Sequence, residues 1–300
     1  MEKYKNIIPN LVSLDTSFSS LPGFYLSEDF IFYNEITSQN RFHYKIIIDN
    51  NIHIPENFDY RNGYYIKYKN YWLYERKINK LVSLKFKYDL ENKILYFNDW
   101  YRLIPFEIGK IQPMGKHISD LINLDLFLSN IIVINGCSFS YKGKIYCLLA
   151  PSFNGKTSFM NWVIDKGGKY ISENILVIDY KRNWVFPTSC QTRNFERIHH
   201  KLLFHKINNN NKITTKEKYD KLIIYQTSKS KNYQLKEKTL FDYLRLKSLF
   251  FFSNNFLLSF LFEENLNYKV FKIIEEIRDT YSKIDNLIID NYNFQKIIDQ

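Results

Sequence analysis

The sequence predicts an α/β fold, with a core at 117–300 that carries C-terminal helices and a mainly antiparallel, β-rich subdomain at 1–116 before it. Three observations lead there. Ala150-Pro151-Ser152-Phe153-Asn154-Gly155-Lys156-Thr157 has the spacing Ala/Gly-x-x-x-x-Gly-Lys-Ser/Thr, with an apolar strand pattern (Lys144–Leu149) before it and a helical pattern (Ser158–Lys166) after it. The N-terminal region alternates apolar and polar residues between turns. Leu266, Val270, Ile273, Ile274 and Ile277 recur at helical spacing near the C-terminus.

In chain order, Tyr44–Asp49 reads as a strand closed by a turn at Asn50-Asn51. Tyr64–Tyr68 and Tyr71–Glu75 flank Lys69-Asn70 as a hairpin, and Leu84–Asp89 and Ile94–Phe97 follow around the turn Glu91-Asn92-Lys93. Tyr-rich strands of this kind serve as a peptide-binding edge or as ordinary sheet faces. Residues 117–129 read as a helix through Leu121, Leu124 and Leu128. Asn130–Tyr141 and Lys144–Leu149 are paired strands joined at Lys142-Gly143.

The Gly-Lys-Thr loop carries the chemistry. Loops of this spacing hold phosphate oxygens with backbone N–H groups and the positive end of the following helix. Gly155 allows close approach, Lys156 reaches the β- and γ-phosphates, and the Thr157 hydroxyl suits Mg²⁺. Ser152, Phe153, Asn154, Gly155, Lys156, Thr157 and Ser158 are the candidate nucleotide-binding residues. Pro151 biases Ala150 toward the extended geometry of a strand end.

After the helix, Gly167-Gly168 is a stop. Ile175–Asp179 is an apolar run of the kind found inside a parallel sheet, which puts Glu173 and Asn174 at a strand entrance. A carboxylate there can position or deprotonate an attacking hydroxyl, and with Thr157 can hold Mg²⁺; a solvated turn would use the same residues. Asn135 is an active-site edge group or a turn residue beside Gly136. Arg193 and Arg197 suit phosphate contact or surface ion pairs, and His199, His200 and His205 read as structural. Asn208–Asn211 reads as a loop tip and Leu222–Tyr225 as a later strand.

Composition bounds the remainder. The net charge is +11 over 300 residues, with lysines scattered and no basic run, so a nucleic-acid partner is not favoured. Cys137, Cys147 and Cys190 are odd in number and lack a Cys-x-x-Cys pair, which suits a reducing compartment. No signal-peptide pattern follows Met1, and the apolar runs at 248–252 and 256–262 are too short to span a bilayer. A cytoplasmic protein without a membrane partner is the expectation.

The segment from Ile131 to about Pro187 resembles the HPr kinase/phosphorylase family, and more closely the HPr-kinase-like proteins found beside peptide-modification genes. The resemblance rests on Asn135-Gly136, Lys142-Gly143, the loop Ala150–Thr157, Gly167, Ser172-Glu173-Asn174, Ile175–Asp179 and Trp184-Val185-Phe186-Pro187. It implies an HPr-kinase/PEP-carboxykinase-like P-loop core, ATP and Mg²⁺ as cofactors, and transfer of phosphate to a serine of a peptide or protein. It also implies that Glu173, Asn174 and Asn135 form the catalytic group, and it leaves a homo-oligomer open. The family's His is Asn135 here, its paired aspartates are Glu173 and Asn174, and its first loop glycine is Ala150. Asn174 cannot act as a base. Three readings therefore stand: a serine kinase using Glu173, a catalytically altered nucleotide-binding module that recognises a peptide or protein, and hydrolysis or transfer to a small metabolite such as a sugar.

Overall fold

The computed structural model describes residues 3–18, 21–24, 26, 40–106, 108, 111–149, 156–173, 175–188, 191–194, 203–206, 212–227, 268–269, 272–273, 275–276 and 285–289. These form a mixed α/β chain dominated by sheet. By compactness they divide between Leu124 and Asp125.

The first unit is built on eight strands: β1 (Lys3–Ile8), β2 (Val12–Thr16), β3 (Phe42–Ile48), β4 (Tyr60–Asn62), β5 (Tyr65–Tyr68), β6 (Tyr71–Lys77), β7 (Ser83–Asp89) and β8 (Ile94–Phe97). Their order in the sheet is β1-β2-β3-β8-β7-β6-β5-β4. The pairings β2–β3 and β3–β8 are parallel, and the others are antiparallel. Alternation decides the faces. Tyr74, Phe86 and Phe97 share one face, with Tyr74 stacked on Phe86 at 5.2 Å and 7°. Ile66 and Leu73 share the other, packed with Ile52 from the segment after β3.

Tyr101, on a 3-10 turn at Asp99–Leu103, meets Phe97 edge to face at 5.0 Å. It is 1 % exposed, and its hydroxyl has no hydrogen-bond partner among the described residues. Burial also pushes its phenol far up. A buried hydroxyl without a partner costs free energy, so Tyr101→Phe should leave stability unchanged or raise it by up to ~1 kcal/mol. Chemical denaturation midpoints check this; a loss above ~1 kcal/mol would mean that the hydroxyl is satisfied.

Helix α1 (Met114–Leu128) follows, close to the boundaries the sequence suggests. The second unit carries β9 (Ile131–Tyr141), β10 (Lys144–Leu149), helix α2 (Lys156–Asp165), β11 (Lys169–Ser172), β12 (Ile175–Asp179), β13 (Trp184–Phe186), β14 (Gln191–Asn194), β15 (Leu203–Lys206), β16 (Glu217–Lys218), β17 (Lys221–Thr227) and β18 (Asp285–Ile289). The main sheet runs β16-β13-β12-β9-β10-β17-β18, with β11 also on β9, while β14 and β15 pair by themselves.

The β9–β10 hairpin turns at Lys142 and Gly143, both at positive φ (48° and 77°), as a two-residue turn demands. Phe139, Tyr146, Leu148, Phe159, Met160, Val163 and Tyr170 make one buried cluster, so α2 covers the face of β9 that bears Cys137 and Phe139. Helix α2 stops where the Gly168 N–H donates back to the Val163 carbonyl at 2.9 Å.

Two sequence expectations are corrected. Ile175–Asp179 does not lie between parallel neighbours: β12 is antiparallel to both β9 and β13. Its apolar run reflects burial of all five residues on both faces, which does not report strand direction. The parallel pairings of this sheet are instead β10–β17 and β17–β18. The C-terminal region is also not helical throughout. Lys272, Ile273, Glu275 and Glu276 are helical, but Asp285–Ile289 is a strand. Cys137 and Cys147 are buried and take part in no disulfide. Cys190, Arg197, His199, His200, Asn208–Asn211 and the apolar runs at 248–262 lie outside the described residues. Among the described residues no helix is long and apolar enough to cross a membrane.

Candidate functional site

Strand β9 organises the site because it is long enough to pair along one edge with two successive strands. Its other edge holds β10, where Leu149 pairs with Gly136. On the first edge, Ser138 pairs with Ser172 of β11 and Asn135 pairs with Ile175 of β12. Glu173 therefore follows β11 directly, level with Gly136 and Cys137. The chain leaves β10 at that same level and re-enters as helix α2 at Lys156. Gly136 is required there, since a Cβ would sit 2.7 Å from the Leu148 carbonyl oxygen.

Three side chains meet at this point. The Thr157 hydroxyl donates to Glu173 Oε1 at 3.1 Å. Glu173 is 3 % exposed and Lys156 7 %. Burial pulls the Lys156 ammonium below its usual range, while the Cys137 thiol and the Glu173 carboxylate act in the opposite sense. A buried lysine and a buried carboxylate thus lie within electrostatic reach of each other at the first turn of a helix.

The donor set also fits Mg²⁺. Thr157 spends its hydroxyl hydrogen on Glu173, which leaves oxygen lone pairs available, and the carboxylate is a hard oxygen ligand. Among the described residues no group of three or more His, Cys, Asp or Glu side chains could hold a metal. Mg²⁺ commonly keeps several waters and takes one or two protein oxygens beside substrate phosphates, a demand that a hydroxyl and a carboxylate can meet.

Of the other candidates, Asn135 is half-buried on β9, on the same face as Cys137 by the pleat. Ser158 is exposed on α2. Ser152, Phe153, Asn154, Gly155 and Asn174 lie outside the described residues. Arg193 lies on β14 and His205 on β15, paired with Phe204 and Thr192 respectively. Sequence spacing carries no sign that Cys137 acts on Lys156, nor of the buried Ser138–Ser172 hydroxyl contact at 2.6 Å. The first comes from helix α2 packing on β9, and the second from the pairing of β9 with β11.

No family model matches the chain, and no curated protein matches it. Among solved structures, a similar one is the Hpr(Ser) kinase/phosphatase from Coxiella burnetii, with a TM-score of 0.25 and 9% identity over 34% of this chain and 70% of that one. A likeness of that size fixes neither fold nor activity.

Proposed function

We propose that the chain is a P-loop protein that binds Mg-ATP and transfers its γ-phosphoryl group to a hydroxyl, a serine of a peptide or protein. The observation that carries this reading is the Thr157–Glu173 hydrogen bond beside buried Lys156, at the junction of the Gly-Lys-Thr loop and its helix. Lys156 and the loop N–H groups would bind the phosphates, and Thr157 with Glu173 would hold Mg²⁺, whose charge would offset that of the phosphates. Glu173 takes the proton of the acceptor hydroxyl as that oxygen bonds to the γ-phosphorus and the bond to ADP breaks. Asn135 and Asn174 line the acceptor side.

The test is an ATP titration with and without Mg²⁺ on wild type and Lys156→Ala, with ADP release followed over hours. Loss of a charge-assisted phosphate contact should weaken ATP binding by about 10- to 100-fold. Lys156-dependent binding with ADP release supports the kinase. The same binding without turnover, in the presence of serine peptides, would favour the nucleotide-binding module. Equal ATP affinity in both proteins would sink the P-loop reading.

A further inference from the structure

We infer that Ser138 and Ser172 are positioning residues: their buried hydroxyl pair holds a one-residue bulge at Ile171 that turns Glu173 toward helix α2. The parity of the strand carries the inference. Tyr170 packs in the α2-covered cluster with Phe139 and Phe159, and it pairs with Phe139. In an unbroken strand, successive side chains alternate, so Ser172 would face α2 with Tyr170 and Glu173 would face away. Glu173 nevertheless accepts the Thr157 hydroxyl from the first turn of α2.

The register resolves this. Phe139 and Ser138 are consecutive on β9, but their partners on β11 are Tyr170 and Ser172, so Ile171 is the extra residue. The bulge inverts the alternation once. Ser172 then shares the face of Ser138, opposite the one bearing Cys137 and Phe139, and Glu173 comes round to α2. On that opposite face the two hydroxyls meet at 2.6 Å, each on a fully buried residue. A slip of β11 by one residue would separate this pair and leave buried hydroxyls unmatched, so the contact selects the bulged register. The outer edge of β11 adds a backbone tie, Thr188 N–H to the Ile171 carbonyl at 3.1 Å. The Glu173 carbonyl is itself tied, accepting the Ile175 N–H at 2.8 Å. The aim of the carboxylate is thus set by strand register and by two serines on the face opposite Glu173.

The aim itself is tested without ATP, and its consequence for turnover rests on the kinase reading. The first arm is a double-mutant cycle of Thr157→Val and Glu173→Met on the unfolding midpoint of the full chain, run in wild type and in Ser172→Ala. The two shifts are expected to be non-additive in wild type and additive in Ser172→Ala. If Ser172→Ala does not fold, Ser138→Ala removes the same contact, and Ser138→Cys weakens it with a smaller lesion. The second arm is ADP release. Ser138→Ala and Ser172→Ala should keep ATP affinity within about twofold and lose about 10- to 100-fold in turnover, with Ser172→Thr recovering most of it. Additive shifts in wild type, or non-additivity that persists without the serine hydroxyl, would overturn the inference. A wild type that releases no ADP would overturn the kinase reading alone, and the cycle would still decide the aim of Glu173.

Discussion

Glu173→Gln is expected to leave ATP binding near the wild-type level and to lower ADP release by about 10²- to 10⁴-fold, the range lost with a general base. The substitution is chosen for what it keeps. The amide oxygen of glutamine can still accept the Thr157 hydroxyl, which Glu173 accepts at 3.1 Å, so the local fold should survive. What it removes is the negative charge and the ability to take a proton. Isothermal titration with ATP and a coupled ADP assay separate the two effects. Turnover within about threefold of wild type would remove Glu173 from the chemistry. Loss of ATP affinity in proportion to turnover would confine Glu173 to holding Mg²⁺ and remove it from the proton transfer. The sense of the charge change matters too. Removing the carboxylate relieves its repulsion of the anionic nucleotide but also withdraws an interaction that favours the charged form of Lys156, so the two effects on affinity oppose each other.

Much of this arrangement is legible in the sequence where the signal is local. The hairpin turn at Lys142-Gly143, the helix after Lys156 and the stop at Gly167-Gly168 depend on residues a few positions apart, and each forms as its local chemistry requires. What escaped was pairing. Ile175–Asp179 is apolar on both faces whether its neighbours run parallel or antiparallel, so composition could not report direction. Lys169–Ser172 became a strand because β9 has edge to spare beyond β12, a fact about another part of the chain. The bulge at Ile171 is invisible by the same logic: nothing in Lys-Tyr-Ile-Ser marks it until Phe139 and Ser138 supply the partners. In the same way, Asp285–Ile289 takes strand form as the parallel neighbour of β17.

The stability of the chain should fall as the pH drops below about 6.5, with His117 the largest identifiable contributor. His117 sits at the start of helix α1 and is 1 % exposed. Its ring lies 5.2 Å from Tyr74, 5.0 Å from Phe86 and 5.7 Å from Tyr101. Burial among these rings drives its pKa down to about 3, and the Lys116 charge pushes in the same direction. The position at a helix N-terminus also disfavours a cation. Between pH 6.5 and about 3 the unfolded chain therefore binds a proton that the folded chain refuses. Stability from this group is complete above the unfolded pKa and is lost at up to ~1.4 kcal/mol per pH unit below it, which gives ~2 kcal/mol at pH 5. Protonated Asp and Glu side chains add their own slope, so the diagnostic quantity is a difference. His117→Phe fills the same aromatic box without a titrating ring, and denaturation midpoints of both proteins from pH 7.5 to 4.5 isolate the His117 share. The variant should lose less stability than wild type over that range, by ~2 kcal/mol or more. Equal slopes in the two proteins would mean that the imidazole is protonated inside the fold, and that the aromatic rings around it hold a cation rather than exclude one.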